Sequence, residues 1–169
     1  MRIRGFTLIE LMTALSVLAI LIAWGLPSFR DWRLRAEMSA RSRELLQALA
    51  LARNEAISGS TRVALCPSSD GELCRQDGQW QDGFLVFPDH NANRRRDAAE
   101  PVMHQGTLAR HLLIRASLGR KLVIYQRNGG AYGYNVTLRI CTRDLRYGAR
   151  VIVANSGRAR TVQDPVCTL

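Results

Sequence analysis

The sequence predicts an α+β protein: a long N-terminal helix, its first half membrane-spanning, whose second half packs on an antiparallel β-sheet head. Three observations lead there. Phe6 to Leu26 is apolar apart from Thr7, Glu10, Thr13 and Ser16. Ser28 to Ser58 carries its apolar residues at helical spacing. Beyond Thr61 the chain breaks into short apolar stretches divided by turn-forming residues.

The apolar run comes first. At about 1.5 Å per residue, roughly 20 helical residues cross a bilayer core of about 30 Å. The basic head Met1-Arg2-Ile3-Arg4 belongs on the cytoplasmic side. A cleaved secretory signal needs a small-residue cleavage site, and Trp24-Gly25-Leu26-Pro27 is a poor one. An ordinary anchor accounts for the length of the run but not for Glu10. A carboxylate inside a spanning helix costs about 2.5–3.5 kcal/mol, less near the interface, and marks a functional residue with a partner.

Pro27 is expected to kink the helix without ending it. Past Ser28, Leu45, Leu49, Ala52 and Ala56 fall on one face, with Leu46, Arg53 and Ile57 beside it. Glu37 and Arg41 form an i, i+4 pair. Ser58-Gly59-Ser60 ends the helix, with Gly59 as the expected left-handed cap.

The head reads as strands and turns. Candidate strands are 61–66, 84–87, 102–105, 111–117, 121–125, 136–141, 149–154 and 158–162. Trp80-Gln81-Asp82-Gly83, Asn128-Gly129-Gly130 and Asn155-Ser156-Gly157 are the turns. In 136–141, Leu138 and Ile140 take one face and Thr137 and Arg139 the other.

The chain has 169 residues, so one small head remains outside the membrane helix. The net charge of +10 favours a polyanionic partner: nucleic acid, an anionic lipid surface or an acidic subunit. Lys121 is the only lysine, and an arginine habit of that kind also follows from a GC-rich genome. Four cysteines behind an export-type N-terminus suggest two disulfides. Three pairings exist. Cys66 and Cys74 are near enough to staple one loop, and Cys141 with Cys167 would tie the C-terminal tail to a strand. A zinc half-site at Cys66-x7-Cys74 is the rival, with a longer spacing than such sites use.

Gly5-Phe6-Thr7-Leu8-Ile9-Glu10-Leu11 resembles the processing site of type IV pilins and pseudopilins. The resemblance implies that a prepilin peptidase cuts after Gly5 and that the new N-terminal Phe6 is methylated. It also implies that Glu10 neutralises the N-terminal amine of a neighbouring subunit during assembly. An ammonium at a helix N-terminus is a partner such a carboxylate needs. Leu49 to Ile57, Trp80-x-x-Gly83-x-x-x-Phe87-x-Asp89 and Asn155 to Arg160 are together similar to the GspH/FimT group of minor pilins and pseudopilins. The implied organisation is a leader at 1–5, a transmembrane and assembly helix at 6–27, its amphipathic continuation at 28–59, and a β-rich head at 60–169. The implied fold is the type IV pilin fold. The implied setting is the inner membrane, single-pass, with the head in the periplasm and later in an extracellular pilus. Other major and minor pilins, the peptidase and the inner membrane are the implied partners.

Asp89, Asn91, Asn93, Asp97 and Glu100 match positions 1, 3, 5, 9 and 12 of a calcium-loop template. Arg94 stands where that template has glycine, Arg94–Arg96 repel a divalent cation, and Asx turns account for the polar residues. Three arginines of this kind serve better as a solvated face or an anion contact. His90, His104 and His111 lack metal-ligand spacing. No phosphate-binding glycine loop, nucleophile elbow or HExxH motif occurs, so no enzyme activity and no cofactor are expected.

The stretch with the most chemistry is Gly157-Arg158-Ala159-Arg160. In an extended strand its two arginines share a face, and paired guanidinium forks suit phosphate oxygens. Arg143, Arg146 and Arg150 precede it, and a hairpin would bring Arg150 near. In the FimT branch this Gly-Arg-x-Arg motif resembles a DNA-binding element of natural transformation, gripping the phosphate backbone without reading sequence. Tyr132, Tyr134 and Tyr147 are candidates for stacking on bases, but alternating tyrosines near Gly-rich turns are more often core or edge residues. Two other roles stay open: a structural minor pilin that primes assembly, and a type II secretion pseudopilin.

Overall fold

A computed structural model of the chain describes residues 7–106, 109 and 111–168. Its secondary structure is one helix, α1 (Leu8–Ser58), followed by eight strands. The chain divides after Ala36 into two compact units. In the first, α1 is long and apolar enough to cross a membrane, and Leu8, Leu15, Ile20 and Trp24 are all exposed. Pro27 lies inside the helix as assigned.

The second unit, Glu37–Leu169, is the head. Here α1 buries Met38, Leu45, Ala48, Leu49, Ala52 and Ala56. These residues follow the helical period that the sequence shows, so a single stripe faces the sheets. Arg41 pairs with Glu44 at 2.7 Å on the flank of that stripe. The end of the helix differs from expectation. The left-handed residue is Ser60 (φ 46°), not Gly59. The Gly59 N–H continues the helical bonding to the Glu55 carbonyl at 2.9 Å, which moves the reversal one residue on.

Two four-stranded antiparallel sheets follow. The first runs β3 (His104–Gln105), β2 (Phe84–Pro88), β1 (Val63–Pro67), β5 (Val123–Tyr125). The second runs β4 (Leu112–Ala116), β6 (Val136–Thr142), β7 (Gly148–Val153), β8 (Ala159–Asp164). Each expected strand has a counterpart, with shorter ones at 102–105 and 121–125. β5 pairs with β1 only from Val63 to Leu65, so Lys121 and Leu122 fall outside the ladder.

The main core lies between the helix stripe and the sheets. Val63, Leu65, Val86 and Tyr125 from the first sheet meet Leu112, Leu138, Ile140 and Val151 from the second. The first sheet is buried on both faces. Ala64, Cys66, Leu85, Phe87 and Ile124 form a smaller cluster on its far side. That explains why β1 and β2 are continuous apolar runs, whereas β4, β6 and β7 alternate. Cys66 is bonded to Cys74 and Cys141 to Cys167, closing the loop after β1 and fixing the tail to β6.

Candidate functional site

Gly5 and Phe6 lie outside the described residues. Glu10 sits in the first turn of α1, exposed. Its carboxylate accepts from the Thr7 N–H and hydroxyl at 3.4 Å, while the Thr7 hydroxyl accepts from the Glu10 N–H at 3.3 Å. This reciprocal pair is a capping box, and Thr-x-x-Glu before an apolar run is its sequence signature. It gives Glu10 a local partner within its own helix.

The arginines of the C-terminal hairpin are placed by register. β7 and β8 pair so that Arg150 faces Val162 and Ile152 faces Arg160. Arg150 and Arg160 are therefore diagonal neighbours on one sheet face, about 7–8 Å apart. Asp164, on the same face, receives the Arg150 guanidinium through two bonds of 2.7 and 2.8 Å. A fork-to-carboxylate pair of this kind fixes the guanidinium plane. Arg158 ends the turn before β8, so only Arg160 of the two stands in the strand itself. Gly157, Arg158 and Ala159 border a cavity of about 420 Å³ with Leu46, Arg53 and Tyr125.

Arg143 and Arg146 occupy the β6–β7 turn, at the other end of β7. A six-residue strand puts roughly 17 Å between the two ends. Arg146 bonds Asp144 at 2.6 Å and lies 5.5 Å from the Tyr147 ring centroid. The Asp144 carboxyl is held down at about 2 by the Thr142 hydroxyl first and by Arg146 next. The five arginines thus spread along one hairpin and do not gather at its tip.

The same register exposes two arginines the sequence reading passed over. Arg139 stands directly opposite Arg150 on one side and Arg115 on the other. The outward position of Arg139 in its alternating strand was the visible signal; its neighbours were not. Like charges placed directly opposite destabilise a sheet, so this row is a cost to the fold.

The loop from Asp89 to Glu100 is built from Asx turns. Asp97 takes the Asn91 and Asn93 amides at 2.6 and 2.8 Å, and the Glu100 carboxylate accepts the His90 and Asp97 N–H groups at 3.0 and 3.1 Å. Buried Asp89 accepts the Arg94 N–H at 3.3 Å. His90 contacts Thr61, and the His104 ring lies 6.0 Å from the Phe84 ring, tilted by 48°.

Residues 41–157 match the family described as type II transport protein GspH. The chain belongs to the GspH family. Residues 1–26 of this GspH-family chain match the prokaryotic N-terminal methylation motif. It is 32% identical over 164 residues to the pilin-like protein PilA1 of Thermus thermophilus, covering 93% of this chain and 97% of that one. Its fold resembles the type IV minor pilin FimU of Pseudomonas aeruginosa, with a TM-score of 0.62 at 19% identity, over 81% of this chain and 99% of that one. It also resembles the minor pseudopilin EpsH of the Vibrio cholerae type 2 secretion system, with a TM-score of 0.54 at 17% identity, over 75% and 97%. This is the type IV pilin fold, in a family of structural pilins and pseudopilins. The GspH match ends at Gly157, one residue short of Arg158.

Proposed function

We propose that this GspH-family chain is a minor type IV pilin that holds extracellular DNA non-specifically during natural transformation. In this reading a prepilin peptidase removes residues 1–5. Residues 6–27 anchor the subunit in the inner membrane and then in the filament, 28–59 continue the helix, and 60–169 form a periplasmic head. Other major and minor pilins surround it in the pilus. The observation that carries the DNA role is the pair of exposed arginines, Arg158 and Arg160, on an edge hairpin beside Arg150. Arg143 and Arg146, in the β6–β7 turn at the other end of β7, extend the contact along that strand. These groups meet phosphate oxygens and no base edges, so affinity falls steeply with salt, by a log–log slope of about −0.9 per phosphate neutralised on duplex DNA.

The test is binding of mixed-sequence duplex DNA by the full chain in nonionic detergent, across a salt series, beside an Arg158→Gln/Arg160→Gln variant. Salt-sensitive binding that largely disappears in the variant supports the reading. A second reading rests on Arg150, whose guanidinium already serves Asp164. In that reading the arginines make subunit contacts, and the chain primes pilus assembly or acts as a type II secretion pseudopilin. No duplex binding by the intact chain at low salt would decide for it.

A further inference from the structure

A cleft of about 630 Å³ opens on the head, and Tyr132 in its lining follows Ala131, whose N–H donates to the Asn155 carbonyl of the β7–β8 turn at 2.8 Å. Arg94, Arg95, Arg120 and Lys121 line it together with Tyr132 and Tyr134. No carboxylate is among its described lining residues. Two of the cations form its walls: the Arg94 guanidinium lies 5.9 Å from the Tyr134 ring centroid, and Arg120 donates to the Gly133 carbonyl. Arg95 and Lys121 are exposed. So is the Tyr132 ring, at 58%.

The charge does not stop at the rim. Arg120 and Lys121 also border a second cavity, of about 370 Å³, with Arg115 and Arg139. Asp77, the one carboxylate among its described lining residues, is already ion-paired with Arg75. Arg139 in turn faces Arg150 across the β6–β7 ladder. A cationic path therefore leads from the cleft over the outer face of the second sheet as far as Arg150, where the Asp164 carboxylate of β8 offsets it. Mutual repulsion along such a path is relieved by a polyanion. The exposed phenol ring adds a demand for a flat, apolar group. An acidic protein surface joins charge to a ring only where an aromatic side chain happens to sit beside a carboxylate, and a duplex keeps its base faces stacked inside. A single strand offers both.

We propose that the cleft is a subsite for single-stranded nucleic acid, with phosphates on Arg95 and Lys121 and one base stacked on Tyr132. The ligand class rests on the nucleic-acid reading given above; the residues that would hold the strand, and the strand form, differ from those of the hairpin.

The test uses the full chain in nonionic detergent, with fluorescence anisotropy on labelled oligodeoxythymidine and on an abasic chain of equal length. Tyr132→Leu is expected to weaken oligodeoxythymidine binding roughly 10- to 100-fold while leaving the abasic chain unaffected. Tyr132→Phe, which keeps the stacking face, retains wild-type affinity. Arg95→Gln/Lys121→Gln flattens the log–log salt slope by about 1.4, at about 0.7 per phosphate on a single strand. Unchanged binding in Tyr132→Leu, or equal affinity of the wild type for the abasic chain, would overturn the proposal. So would equal competition by polyglutamate, which points to an acidic protein. A duplex titration of wild type and Arg158→Gln/Arg160→Gln runs alongside. Failure there removes the hairpin reading alone, because the oligodeoxythymidine result decides the cleft.

Discussion

Gly157 stands so close to Gly129 that a Cβ built on it would lie 1.8 Å from the Gly129 carbonyl oxygen. That oxygen also accepts the Arg53 Nε–H at 3.0 Å. One helix residue and two turns therefore meet at a single atom, and this contact sets the position of the hairpin that carries Arg158 and Arg160. Gly157 also has φ +78°, where side chains are strained whatever the space.

Gly157→Ala should accordingly cost about 3 kcal/mol, from backbone collision and strain together. Gly119 is the control. Its φ is +75°, but nothing lies within 4 Å of an added Cβ. Gly119→Ala should cost only about 1 kcal/mol, the left-handed strain alone. Denaturant unfolding of both variants checks the difference; equal losses would mean that the Gly129 contact contributes nothing.

Tyr125 is fully buried, and its hydroxyl has no hydrogen-bond partner among the described residues. Burial pushes its ionisation up to about 12, against a smaller opposing pull from Arg53. A raised acid pKa means that the folded state prefers the neutral phenol. Its contribution to stability is present below about pH 10 and falls as pH rises towards 12. Tyr125→Phe should remove that alkaline loss and raise stability at neutral pH by about 1 kcal/mol. Urea melts of both proteins across the alkaline range give the answer; a less stable Phe variant would show that the hydroxyl is satisfied.

The two disulfides should differ in worth. The Cys66–Cys74 bridge closes 8 residues and the Cys141–Cys167 bridge 26. On loop-closure entropy alone, the short bridge contributes about 2.5 kcal/mol and the long one about 3.5 kcal/mol. Paired serine variants, compared by thermal unfolding, should rank in that order. Free thiols in the purified non-reduced protein, seen by mass spectrometry, would refute both bridges.

At the other end of the chain, Thr7 and Glu10 separate two roles. Thr7→Ala removes the capping hydroxyl and should cost the helix about 1 kcal/mol without blocking filament incorporation. Glu10→Ala should leave membrane insertion intact but impair incorporation, because a buried amine in the filament would lose its counter-charge. Counting each variant in sheared filaments separates them. Normal incorporation of Glu10→Ala would reduce Glu10 to a capping residue.

Low pH should loosen two turns first. Backbone N–H groups of Leu73 and Glu72 and the Ser68 hydroxyl hold Asp70 at about 2, as Thr142 and Arg146 hold Asp144. Lowered carboxyl pKa values stabilise the folded turns above about pH 4, and the effect is lost as pH falls towards 2. Protection of the Leu73 and Arg146 amides, measured relative to the intrinsic exchange rate at each pH, should fall in that window, and Asp70→Asn and Asp144→Asn should flatten the response. Protection factors at those amides that stay constant from about pH 4 to 2 would contradict the assignment.

Features that depend on neighbours along the chain are legible before any fold is known. A 3.6-residue period places Leu45, Leu49, Ala52 and Ala56 on one buried stripe wherever the helix goes. Strand alternation sends Leu138 and Ile140 inwards and Arg139 outwards in any sheet. Turn chemistry around Asn128 and Asn155 works over three or four residues, and the resemblance at Gly5 to Glu10 and at Asn155 to Arg160 is local too. Relations between segments far apart in the chain emerge only in the folded head. Folding put Arg115, Arg139 and Arg150 in one row, gave Arg150 to Asp164, and set Gly157 against Gly129. It also gathered Arg95, Lys121 and Tyr132 around one cleft. Strand order and register are fixed by how a whole core packs, and a shift of one residue sends every side chain of a strand to the opposite face. No stretch of sequence carries that information alone, which is why the charged hairpin was legible and the charged face was not.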